Sequence, residues 1–107
     1  MHISLVGINH QTAPVTIRER VAISAEKLPD SLSQLHTYVP HGVILSTCNR
    51  TEIYTADNDG HRIQEASLNF LKAHTNNFDA DLLQHIYLSS DKAAVDHLLR
   101  VACGLES

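Results

Sequence analysis

The sequence predicts an α+β domain: a ferredoxin-like α/β sandwich with a four-stranded antiparallel sheet and the element order β-α-α-β-β-α-β-α. Three observations carry this. Apolar runs of strand length stand near the start, the middle and the end of the chain. Amphipathic stretches at helical spacing separate them, and the two middle strands follow each other across a short polar turn. Two split β-α-β units around one antiparallel sheet satisfy that order and leave one helix over at the C-terminal end.

Ile3-Ser4-Leu5-Val6-Gly7-Ile8 reads as the first strand, ended by the polar turn Asn9-His10-Gln11-Thr12. Pro14 suits the first position of a short helix to Val21, where its missing N–H would have no partner. Ser24 is placed to cap a second helix with the apolar face Leu28, Leu32, Leu35 and Val39. Pro29 would cost the interior of that helix a backbone bond, so the helix either bends there or starts there. Gly42-Val43-Ile44-Leu45 is a continuous apolar run of the kind a strand buried on both faces shows, whereas Glu52-Ile53-Tyr54-Thr55-Ala56 alternates as a half-buried strand does. The polar cluster Asp57-Asn58-Asp59-Gly60 closes this hairpin. Ile63, Ala66, Phe70 and Leu71 mark one face of a third helix to about His74, and Asn76-Asn77 ends it. Leu82-Leu83 falls on a brief helical turn before a fourth strand, His85-Ile86-Tyr87-Leu88. Ser90 is placed to cap the final helix, with Asp91 near its positive end, Ala94, Val95, Leu98, Val101 and Ala102 inward, and Gly104 at its close.

At 107 residues and 43% hydrophobic content, residues 1–107 are expected to form one domain around one core. No run is long and apolar enough to span a bilayer, and Met1-His2-Ile3-Ser4-Leu5-Val6 lacks the basic opening of a secretory signal. A cytoplasmic setting with no membrane partner is expected. The formal net charge of −4 argues against a domain that grips nucleic acid electrostatically by itself, so any such contact must be local. Cys48 and Cys103 form no CxxC pair, and the eight histidines, read mostly as solvated, are scattered without an HExxH pattern. Free thiols and no metal are therefore expected. The four glycines, Gly7, Gly42, Gly60 and Gly104, never form GxGxxG, so the chain lacks the usual means of holding a dinucleotide.

The run Leu45-Ser46-Thr47-Cys48-Asn49-Arg50-Thr51-Glu52-Ile53-Tyr54 places a cysteine and an arginine two residues apart at the strand-to-strand turn. A nearby guanidinium favours thiolate over thiol and can hold an anionic group, which suits a nucleophile that attacks a carbonyl. From these residues alone, Cys48 is equally a small apolar residue at a hairpin tip, and Arg50 is more readily a surface arginine paired with Glu52 or with a helix end. His97 stands at the edge of the last helix's apolar stripe, where a packed or half-exposed histidine is the commoner case.

That run, together with Gly7-Ile8-Asn9-His10-Gln11-Thr12-Ala13-Pro14 and the tail His97-Leu98-Leu99-Arg100-Val101-Ala102-Cys103-Gly104-Leu105-Glu106-Ser107, resembles glutamyl-tRNA reductase in its amino-terminal catalytic domain. The resemblance implies the same sandwich fold and the NADPH-dependent reduction of glutamyl-tRNA(Glu) to glutamate-1-semialdehyde, the committing step of tetrapyrrole synthesis. It implies that Cys48 is the nucleophile, that His97 lies in the active site, and that Thr47, Arg50 and Ser107 bind substrate. Arg50 would clamp the glutamyl carboxylate and so reject the neutral glutamine ester. Asn9 and His10 would lie near Cys48 if the first strand is central. It further implies that NADPH is bound by a later domain absent from this chain, and that a C-terminal domain forms a homodimer. The chain would then be a fragment cut at Ser107, without reductase activity alone. Glutamate-1-semialdehyde aminomutase is the partner that would receive the aldehyde.

Two other classes compete. A ferredoxin-like RNA- or ligand-binding module is disfavoured by the negative charge and by a total of two Phe and three Tyr, too few for aromatic RNA-binding strands. A redox sensor would need both Cys48 and Cys103, whereas the reductase needs Cys48 only; Cys103 is expected in a small apolar niche of the last helix.

Overall fold

The computed structural model describes residues 1–105. Among these, the elements follow as β1 (His2–Asn9), α1 (Val15–Val21), α2 (Leu28–Leu35), β2 (His41–Ser46), β3 (Arg50–Asp57), α3 (Gly60–His74), α4 (Ala80–Gln84), β4 (Tyr87–Ser90) and α5 (Asp91–Ala102). The sheet runs β2-β3-β1-β4, and every neighbouring pair is antiparallel. This is the expected α+β arrangement of two split β-α-β units, with α4 as a short helix where one helical turn was expected. No helix among the described residues is long and apolar enough to cross a membrane.

Strand alternation divides the core into two unequal layers. Val6 and Ile8 of β1 and Ile53 of β3 face α1, α2 and α3, where Ile17, Leu35, Ile63 and Phe70 complete the larger layer. Leu5 and Tyr54 face the other way, onto Ala94 and Leu98 of α5. The thinner layer holds the charged residues of β3, Arg50 and Glu52.

The helix ends follow local chemistry. Pro29 stands in the first turn of α2, which starts at Leu28, while Ser24 closes a separate turn by accepting from the N–H of Lys27. Asp59 and Asp79 cap α3 and α4 by accepting from the N–H groups of Arg62 and Leu82. Ser90 precedes α5 but makes no side-chain cap. It is instead the last residue of β4, paired with Ser4, and the chain turns straight from strand to helix through Asp91 at φ +52°. At the other end Gly104, at φ +78°, donates to the Val101 carbonyl and Leu105 to the Arg100 carbonyl, a Schellman close.

Three expectations are corrected. The apolar run of β2 lies on an edge strand with Val43 55% exposed, whereas the alternating run of β3 is central and buried on both faces. Hydrophobicity misreads β3 because Arg50, Thr51, Glu52 and Thr55 are buried with polar partners, not with apolar ones. The fourth strand starts at Tyr87 because His85 and Ile86 are still donating to carbonyls of α4. On α5 only a narrow stripe of Ala94, Leu98 and Val101 turns inward, so Val95 and Ala102 are exposed, as is Cys103 just after them.

Candidate active site

The hairpin β2-β3 closes with the N–H of Thr47 donating to the carbonyl of Arg50 at 2.7 Å, which leaves Cys48 and Asn49 as a two-residue tip. The Asn49 N–H donates back to Thr47 Oγ1 at 3.2 Å. Neither tip residue has a positive φ, and Cys48 is exposed with a free thiol. A sulfur held at the end of two paired strands is open to solvent yet fixed in place.

Arg50, the first residue of β3, pairs across the ladder with Asn9, so the turn after β1 stands beside the hairpin tip. Asn9 is buried, and its Oδ1 accepts from the N–H groups of Gln11 and Thr12 at 2.9 and 3.1 Å. Its side chain also bonds the Tyr87 hydroxyl. His10 is exposed on the turn itself.

Period two puts Arg50, Glu52 and Tyr54 on the face toward α5. Arg50 is only 3% exposed and Glu52 not at all. Arg50 Nη1 donates to Glu52 Oε2 at 3.1 Å, the Tyr54 hydroxyl donates to Oε1 at 2.8 Å, and the Tyr87 hydroxyl donates to Oε2. His97 of α5 brings Nε2 to 2.5 Å from the same Oε2 and 3.5 Å from Arg50 Nη1. Burial alone would push the Glu52 carboxyl up, but hydrogen bonds from Tyr87, Tyr54 and His97, with the charge of His97, hold it below its ordinary value. Both tyrosines are pushed well above their ordinary values, first by burial and then by the hydrogen bond to Glu52 and its charge. They are therefore neutral donors. An unpartnered carboxylate here would cost several kcal/mol, on the order of a buried charge; with four donors it is saturated.

The ring of Tyr87 reaches Glu52 by crossing β1 over Gly7, where a Cβ would come within 2.9 Å of its Cζ and hydroxyl oxygen. Beside the tip, a cavity of about 310 Å³ lies between Thr47, Asn49 and Arg50 of the hairpin and Leu98 and Val101 of α5.

The family model for the Glutamyl-tRNAGlu reductase N-terminal domain matches residues 6–107. The chain belongs to this family. A solved structure, glutamyl-tRNA reductase from Methanopyrus kandleri, is similar in fold, with a TM-score of 0.66 at 24% identity. The match covers 98% of this chain and 23% of that one, so the chain spans about a quarter of that protein's length.

Of the residues singled out in this reductase-family sequence, Cys48 stands on the hairpin tip and Thr47 in the pair that closes it, while Arg50 and His97 meet beneath it on opposite sides of the sheet-helix seam. Arg50 does pair with Glu52, but in the interior and not on the surface. Ser107 lies outside the described residues. Glu52, Tyr54, Tyr87 and Gly7 escaped sequence reasoning, although Arg50-x-Glu52-x-Tyr54 is a run of polar groups on one strand face. Among the described residues no cluster of three or more His, Cys, Asp or Glu is placed to hold a metal. The glycines do not form a phosphate cradle either. Gly7 lies under Tyr87, Gly42 against Leu35, Gly60 beside His2 and Gly104 at a helix end, so the described residues do not fit NADPH.

Proposed function

We propose that this chain is the substrate-binding and nucleophile domain of an NADPH-dependent enzyme that reduces glutamyl-tRNA(Glu) to glutamate-1-semialdehyde, the first committed step of tetrapyrrole (haem, porphyrin) biosynthesis, in the cytoplasm. The observation that carries the reading is the meeting of Arg50 and His97, 3.5 Å apart, below an exposed cysteine on a fixed hairpin tip. Cys48 Sγ attacks the carbonyl carbon of the aminoacyl ester; the C–S bond forms, the C–O bond to the ribose breaks, and the ribose oxygen leaves as a hydroxyl. His97 handles the proton of that exchange. Arg50 and Thr47 bind the glutamyl group, with Ser107 as a further contact. The reductant belongs to another domain of the same enzyme, as does a homodimer interface, and the aldehyde passes to glutamate-1-semialdehyde aminomutase.

The test is intact-mass spectrometry of the chain after mixing with glutamyl-tRNA. A glutamyl adduct is expected on Cys48 and is expected to vanish in Cys48→Ser, because a hydroxyl is far less ionised than a thiol at neutral pH. An adduct that survives Cys48→Ser would overturn the assignment of the nucleophile.

A further inference from the structure

The proposed chemistry uses Cys48, Arg50 and His97 and leaves Glu52 without a part, although four donors from two strands and a helix converge on it. One carboxylate oxygen would suffice to neutralise Arg50. Here Tyr54 of β3 holds Oε1, Tyr87 of β4 holds Oε2, and the Oε2 so fixed receives both Arg50 and His97. Gly7 on β1 is the opening that lets Tyr87 take part.

The ionised carboxylate accepts and cannot donate, so the 2.5 Å contact requires the hydrogen to sit on Nε2 of His97. The 3.5 Å approach of Arg50 Nη1 to Nε2 is then two donors converging on one oxygen. Nδ1 of His97 makes no hydrogen bond among the described residues, and the side chain is 22% exposed. We propose that Glu52 is a positioning residue: it commits the Nε2–H of His97 inward and leaves Nδ1 as the ring atom offered to the reacting ester.

The chemistry rests on the thioester reading; the geometry does not. In acylation the Cys48 thiol proton passes to Nδ1 as Sγ bonds the carbonyl carbon. The same proton then passes from Nδ1 to the departing ribose oxygen as the C–O bond breaks, so no proton is gained or lost. Glu52 stays ionised throughout and faces the imidazolium while it exists, as the orienting acid of a catalytic triad does.

Nitrogen-15 spectra of the histidine rings, recorded on the whole chain as a function of pH, read the tautomer directly. The parent is expected to show His97 protonated on Nε2 and bare at Nδ1. Glutamine at position 52 offers both a donor and an acceptor, so Glu52→Gln should give a mixture of tautomers and slow Cys48 acylation by about a hundredfold, with little change in the glutamyl-tRNA concentration for half-maximal rate. A parent His97 protonated on Nδ1 would overturn the proposal, as would a folded Glu52→Gln that keeps the parent tautomer or acylates within about threefold of the parent rate. If Glu52→Gln fails to fold, the parent tautomer decides. A parent that forms no Cys48 adduct would count against the thioester reading, while the tautomer still decides the role of Glu52.

Discussion

Gly7→Ala is a one-carbon test of the arrangement around Glu52. Gly7 sits on β1 between its ladder partners Glu52 and Tyr87, and an added Cβ would stand 2.9 Å from the Tyr87 ring and 3.0 Å from Glu52 Cγ. The β1 backbone is paired on both sides and cannot retreat, so the tyrosine tip must move and give up its bond to the carboxylate. A hydrogen bond to a charged group contributes about 1.5–3 kcal/mol, and residual crowding adds about 1 kcal/mol. Alanine lowers the entropy of the unfolded chain and offsets about 0.5 kcal/mol of this. The net loss is then about 2–3.5 kcal/mol, or roughly 10 °C or more in Tm for a domain of this size. Urea unfolding at neutral pH should show a lower midpoint with an unchanged slope. In a Tyr87→Phe background the hydroxyl bond is already gone, so the same glycine substitution should cost about 1.5–3 kcal/mol less. A loss below about 0.5 kcal/mol, or simple additivity of the two changes, would refute the reasoning.

Three further outcomes are expected. Arg50→Lys should slow Cys48 acylation and weaken the preference for glutamyl- over glutaminyl-tRNA, because an ammonium does not reproduce a planar two-pronged contact; unchanged rate and preference would remove Arg50 as the carboxylate clamp. The fold lowers the Glu52 pKa, so its ionised form contributes stability that is complete above its ordinary value of 4.5 and is lost as pH falls through the lower folded value. The stability gap between the parent and Glu52→Gln should therefore shrink as pH is lowered from about 6 to about 3, and a flat gap in urea titrations would contradict this. Cys103→Ser should leave acylation of Cys48 unchanged, since the thiol is exposed at the end of α5; loss of activity would favour a two-cysteine sensor.

The layout was legible where periodicity and turn chemistry speak. Leu28, Leu32 and Leu35, or Ile63, Phe70 and Leu71, mark helix faces by spacing, and Asp57-Asn58-Asp59-Gly60 marks the break between β3 and α3. Strand position was not legible. β2 reads as interior and lies at the edge; β3 reads as half-exposed and lies in the centre, because charge neutralised by charge is buried as readily as a leucine. The chemistry-bearing run around Cys48 was visible as a motif. Its support was not, since Tyr87 and His97 reach Glu52 across 35 and 45 residues of sequence and no local pattern records such a meeting.

The two layers of the core also set how the molecule comes apart. On the α1-α2-α3 side many buried apolar residues interlock, whereas α5 is seated by Ala94, by the partly buried Leu98 and by the ring of His97 hydrogen-bonded to Glu52. Amide hydrogen exchange along α5 should therefore report a local opening well below the free energy of global unfolding. In that opened form His97 leaves the sheet while the hairpin tip stays whole, so the meeting of Arg50 and His97 can melt before the fold does. A ligand that touches both Arg50 and His97 would bind only the closed form, and its occupancy would appear first as protection of the α5 amides.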